Sequence, residues 1–183
     1  MKQQLIAIFG DTRVLNCLSI TNRKEFLIAD EEETSRCYIV PEGNTEILIE
    51  KCFKVINSQS KEIQLLSVDA CFLTREYDYN GQKCDCIIFS ENKLCFVELK
   101  TNATSIKKIK DNIKKAIEQL GCTINHFDEN GVDFAEYQLE AYIVLKPRLY
   151  RTSLRATTSK QKRRKKFFDE FEVDLYEISE THF

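Results

Sequence analysis

At 183 residues with 43% hydrophobic content, the chain has enough apolar material for one domain with a sizeable core. It holds only 5 Gly and 2 Pro, no low-complexity tract, no repeat period and no apolar run near the ~18 residues of a membrane span, which argues against a repeat array and against membrane insertion. The net charge of −2 carries no nucleic-acid signal by itself, but it is unevenly spread: residues 1–99 have 11 Lys and Arg against 16 Asp and Glu, residues 100–170 have 16 against 9, and residues 171–183 have none against 4.

The N-terminal apolar stretch is short and has no small-residue cleavage pattern, so a cytoplasmic protein is expected. The 8 cysteines fall mostly inside apolar patterns and read as small core residues, not as a disulfide framework. Cys84 and Cys86 are the one close pair and are expected on one sheet face, opposite Asp85. With no CxxC, and with His126 far from His182, zinc is not expected.

In chain order, residues 5–9 and 14–20 read as two short strands, or a strand and a loop. The acidic run 30–33 reads as a solvated loop. Pro41, Gly43 and Asn44 are turn chemistry, and Asn44 as N-cap predicts a helix over about 45–56, with Leu48, Ile49, Cys52, Phe53 and Ile56 as its buried stripe. Glu46 lies at the edge of that stripe, where the helix dipole alone would favour an acid. A strand over 63–73 and a turn-forming connection over 74–82 follow; Asp69 and Asp78 are either spare ligands or marks of strand ends and loops.

Residues 83–89 and 94–100 are apolar runs rich in β-formers around the polar break at 90–93, the pattern of an antiparallel hairpin. If Phe89 and Leu94 close the turn, counting outward sets Asp85 opposite Glu98. Lys100 then shares the face of Glu98, while Val97 and Leu99 point to the other side. Ionised groups in an apolar setting lose several kcal/mol of hydration unless they are paired or bound to a cation, and hard oxygen ligands select Mg2+ or Mn2+. A plain cross-strand network of the three side chains on an exposed sheet face is the structural alternative. A second acid-x-Lys triplet, Glu91-Asn92-Lys93, sits in the turn and has no partnering Asp on an apolar strand.

Beyond Lys100, a helix is expected over about 106–124, with Ile106, Ile109, Ile113, Ala116, Ile117, Leu120 and Ile124 facing the sheet and Gly121 close to its end. Lys107, Lys110 and Lys114 fall on one flank, Lys108 and Lys115 on the other, with Gln119 near Lys115. A core strand over 137–145 is ended by Pro147, and Arg148, Arg151 and Arg155 lead into the basic run Lys162, Arg163, Arg164, Lys165 and Lys166. That run reads as a helix anchored through Phe167, Phe168 and Phe171, suited to phosphate contact or to a solvated face. A last alternating strand spans 173–178. The order of helices and strands gives an α/β or α+β class, a mixed sheet flanked by helices.

Asp85, twelve intervening residues and then Glu98-Leu99-Lys100 resembles the PD-(D/E)xK nuclease superfamily. The resemblance implies a restriction-endonuclease-like α-β-β-β-α-β core over about residues 44–145 of a single domain. Cys84 stands where the motif's name has Pro. It further implies Mg2+-dependent (or Mn2+-dependent) hydrolysis of phosphodiester bonds, DNA ahead of RNA, in a restriction or antiviral defence system. Asp85, Glu98 and the backbone carbonyl of Leu99 would hold metal, Lys100 would stabilise charge or position water, Glu46 would add an acid from the preceding helix, and Gln119 would reach back from the following one. A chain of this size leaves little outside the core to choose a target, so a protein partner supplying recognition, or a homo-oligomer, fits. The alternatives are a catalytically silent nucleic-acid-binding module and an assembly subunit of the same fold.

Overall fold

The structure is a computed structural model that describes residues 1–183 apart from 32, 45–48, 78 and 147–156. The two apolar runs around residue 90 form the expected hairpin. Strands β6 (Cys86–Phe89) and β7 (Lys93–Lys100) pair antiparallel with Phe89 opposite Leu94 and Cys86 opposite Val97, and the Ser90 N–H bonds the Lys93 carbonyl at 2.9 Å. Strand β5 (Ile63–Ser67) lies antiparallel on the other side of β6, and β1 (Leu18–Thr21) edges β5. The chain leaves β7 into helix α3 (Ile106–Glu129) and returns in β8 (Gln138–Leu145), parallel to β7. Strand β9 (Asp174–Tyr176) adds parallel to β8, which completes a mixed six-stranded sheet in the order β1-β5-β6-β7-β8-β9.

One face of this sheet packs against helices. Phe96, Phe89 and Ile87 meet Ile109, Ile113, Ala116 and Leu120 of α3, together with Phe167 of helix α4 (Thr157–Phe171). Ser105 caps α3 through its hydroxyl, which accepts the Lys108 N–H at 3.3 Å. Gly121 does not end this helix. It lets α4 approach: a Cβ there would lie 2.5 Å from the Phe171 ring. Phe168, 49% exposed, does not share in the anchoring expected of it.

The opposite face is covered by a second sheet that the sequence pattern did not reveal. Strands β2 (Glu25–Asp30), β3 (Cys37–Ile39), β4 (Phe53–Ile56) and β10 (Glu180–His182) pair in the order β10-β4-β2-β3. Phe26, Ile28, Phe53 and Val55 interlock with Ile63, Leu65, Ile88, Val97 and Val144. The described part of the expected 45–56 helix is thus a single 3-10 turn (Ile49–Lys51) and strand β4. Ile49, assigned to a buried stripe, is 71% exposed, and pairing of β4 with β2 and β10 outweighs the helical spacing of its apolar residues.

The N-terminus also differs from the expected pattern. Residues expected as strands form helices α1 (Lys2–Phe9) and α2 (Asp11–Cys17), broken at Gly10 (φ 86°), and only Leu18–Thr21 is extended. Leu5 of α1, and Val14 and Cys17 three apart on α2, bury against the helix-side core, a spacing that a window of mixed apolar residues disguises. Cys17 is disulfide-bonded to Cys71, so the cysteines are not all simple core residues; five of the six free ones are buried and Cys122 is exposed.

Candidate active site

The hairpin's open end gathers the charged residues. Continuing the register one step beyond Cys86 and Val97 sets Asp85 against Glu98. Asp85 is 8% exposed and Glu98 fully buried, while the Lys100 ammonium, on the same strand, forms an ion pair with Glu98 Oε1. The Asp85 N–H donates to the Val97 carbonyl (3.2 Å) and to Glu98 Oε2 (3.1 Å), and Asp85 Oδ2 accepts the Leu99 N–H at 2.5 Å. The sequence-derived trio is therefore brought together, with Leu99 binding Asp85 through its backbone.

Regular alternation stops at this point. The Asp85 carbonyl accepts the N–H groups of Val68 (2.9 Å) and Asp69 (3.2 Å), so the chain turns out of β6 and Cys84 and Cys86 enter different cores. They do not share a face as expected. Helix α3 fixes the segment just before: Thr123 Oγ1 accepts the Cys84 N–H (2.8 Å), and Gln119 Nε2 donates to the Lys83 carbonyl (2.8 Å). Gln119 does reach back toward the site, as a support for the backbone that carries Asp85.

Two further acids border the pair. Asp69 sits in a tight turn (Val68–Phe72) and pairs with Lys83 at 3.2 Å. Asp30, read as part of a solvated run, ends β2 of the second sheet within electrostatic reach of Asp85, Asp69 and Lys100. Its sequence signal was the apolar Phe26, Ile28 and Ala29 just before it, which mark a strand and not a loop. Among the described residues no group of three or more His, Cys, Asp or Glu side chains is gathered to hold a metal ion. Glu46 and Asp78 lie outside the described residues.

Burial pushes the Asp85 carboxyl up to about 7, against the opposing pull of the Leu99 N–H and Lys100. Glu98 is raised well above the carboxylate range by burial and then by Asp85, with Lys100 opposing. Partial desolvation and Asp69 likewise raise Asp30. Two buried carboxyls side by side, favouring protons over charge, are a donor set that fits a hard divalent cation, which stabilises the ionised form of both.

Comparison with known proteins brings no relative to this arrangement. No family model, curated protein or solved structure matches the chain.

The basic residues divide into two groups. Lys107, Lys108 and Lys115 on α3, and Lys162, Lys165 and Lys166 on α4, are exposed, Lys165 within 2.9 Å of Asp169 one turn on. Arg163 instead forks onto the buried Glu177 (2.7 and 2.9 Å), and Arg164 pairs with Asp174 at 3.6 Å over the Tyr176 ring. These two arginines, expected to meet phosphate, hold α4 to β9 and the segment after it. Arg148, Arg151 and Arg155 lie outside the described residues. No helix among the described residues is long and apolar enough to cross a membrane.

Proposed function

We propose that the chain is a metal-dependent nuclease of the PD-(D/E)xK type, with DNA as the first candidate substrate and RNA as the alternative. The observation that carries this reading is the buried Asp85–Glu98 carboxyl pair with Lys100 paired to it at the end of a central hairpin. The succession β5, β6, β7, α3, β8, three antiparallel strands and a helical crossover to a parallel fourth, supports it as the β-β-β-α-β part of the resembled superfamily's core, although the helix expected ahead of it is, in its described part, a 3-10 turn and strand β4. Asp85 and Glu98 would hold Mg2+ or Mn2+, with the Leu99 carbonyl as a further donor, and Mg2+ needs only one or two carboxylates when waters and substrate phosphate complete its shell. Bound there, the metal would lower the pKa of a coordinated water and offset charge on the phosphate oxygens. Lys100 would place a positive charge beside the reacting phosphate. Gln119 and Thr123 keep the Asp85 segment in place.

Cleavage of single- and double-stranded DNA and RNA with Mg2+, Mn2+ or EDTA, beside Asp85→Ala and Lys100→Ala, tests this. Metal-dependent cleavage lost in both variants is the expected result; cleavage surviving both substitutions overturns it. A second reading, a nucleic-acid-binding module without cleavage, is favoured by the exposed lysines of α3 and α4, which owe nothing to the carboxyl pair. It predicts salt-sensitive binding indifferent to metal and to Asp85. A role in restriction or antiviral defence, with a protein partner choosing the target, follows from the resemblance and belongs to the same proposal.

A further inference from the structure

The Cys17–Cys71 disulfide ties the end of α2 to the Val68–Phe72 turn, and that turn braces the candidate site. Val68 and Asp69 both donate their N–H groups to the Asp85 carbonyl, and Asp69 pairs with Lys83. Between Asp69 and the disulfide stands Ala70 at φ 56°, ψ 4°, a left-handed conformation that a residue with a Cβ disfavours, its N–H held by Asp69 Oδ1 at 2.8 Å. A covalent bond on the very next residue opposes relaxation of this turn. Cys17 is buried at 4% exposure whereas Cys71 is partly exposed, so the bond can be reached from the Cys71 side.

We propose that Cys17–Cys71 is a redox strap on the candidate site. Oxidised, it holds the turn against Asp85; reduced by a dithiol, it lets Ala70 leave the left-handed region and frees the Asp85 carbonyl from its two donors. The reductant's thiolate attacks the Cys71 sulfur, forming a mixed disulfide and expelling the Cys17 thiolate, which takes up a proton. The reductant's second thiol then displaces Cys71. Two electrons and two protons pass to the protein, and the dithiol leaves as its disulfide. Only the consequence for cleavage rests on the nuclease reading.

The test compares the full chain, oxidised and in dithiothreitol, in a Cys122→Ser background that removes the exposed thiol. Amide hydrogen exchange is read residue by residue beside Mg2+-dependent cleavage. Reduction is expected to speed exchange at Val68, Asp69 and Leu73 about tenfold while the β6–β7 amides stay protected, and to lower cleavage by a similar factor. Cys17→Ser combined with Cys71→Ser should match the reduced protein and ignore dithiol; Ala70→Gly, free of the left-handed penalty, should show a smaller rise on reduction. Equal exchange in the two redox states overturns the strap, whatever the cleavage, and so does a dithiol response that persists in the double variant. Where the double variant fails to fold, the comparison of oxidised and reduced parent protein decides alone. Faster exchange on reduction with no cleavage in either state supports the strap and overturns the nuclease reading; cleavage with unchanged exchange does the reverse.

Discussion

Asp85 titrates at about 7 in the fold, against about 3.9 in an unstructured chain. The native protein thus keeps a proton that the unfolded chain has already released, and the stability tied to Asp85 is full below about pH 4 and lost as pH rises through about 7. Glu98 is shifted in the same direction and adds to the loss. Urea midpoints should therefore fall between pH 5 and pH 8, by the equivalent of a few kcal/mol. Asp85→Asn keeps an oxygen for the Leu99 N–H and removes the titration, so its midpoint should vary less across that range. A divalent cation selects the ionised pair: Mg2+ should restore stability at pH 8 by about 2.7 kcal/mol at a hundred times its dissociation constant. It should do little at pH 5 and little in Asp85→Asn. Lys100→Ala removes the cation beside the fully buried Glu98, so its destabilisation should grow with pH. If Lys100 also faces the reacting phosphate, cleavage should drop by about 10²–10³, with a smaller change in metal affinity measured calorimetrically.

At the scale of elements, the basic run of α4 holds residues of two kinds that composition cannot separate. Arg163 reaches the 1%-exposed Glu177 with a forked guanidinium, whereas Lys166 is exposed. Arg163→Ala should cost stability toward the lower end of about 3–5 kcal/mol, since the arginine is partly solvated. Lys166→Ala should stay within about 0.5 kcal/mol, and thermal unfolding of the two variants checks the contrast. The β6–β7 hairpin was legible in the sequence, down to Asp85 facing Glu98, because its register is set by a short local turn. Strand β8, helix α3 and the helical state of α4 were legible from apolar periodicity too, and β5 as far as Ser67, where the strand expected to reach 73 gives way to the Val68–Phe72 turn that meets the Asp85 carbonyl. The second sheet was not, because β4 gains its strand identity from β2 and from β10, elements remote in sequence, while its own residues also fit a helical stripe. Cys17 was misread for the same reason, since its partner Cys71 is joined to it only by the tertiary fold; Asp30 is exposed as a solvated run implies, but ends strand β2 instead of lying in a loop.

Across the whole molecule, net charge is close to neutral while most of the exposed lysines among the described residues collect on the two helices of one side of the six-stranded sheet. The carboxyl pair lies at the end of the hairpin against which α3 packs. A polyanion held along these helices would be attracted by Lys107, Lys108, Lys115, Lys162 and Lys166, each of which displaces condensed counterions when it meets a phosphate. Binding measured by anisotropy on the uncleaving Asp85→Ala background should weaken linearly in log–log plots against salt. Lys162→Gln with Lys166→Gln should lower the magnitude of that slope by about 1.8, or ~0.9 per phosphate contact removed, and weaken binding uniformly across sequences. Lys24→Gln, in the turn before β2 on the opposite sheet, should leave the slope unchanged. A slope insensitive to the α4 lysines but sensitive to Lys107 and Lys108 would confine the contact to α3, where the phosphate path meets the helix that supports Asp85. A slope indifferent to all five would remove the basic side as a nucleic-acid surface and leave the carboxyl pair to find its substrate through a partner.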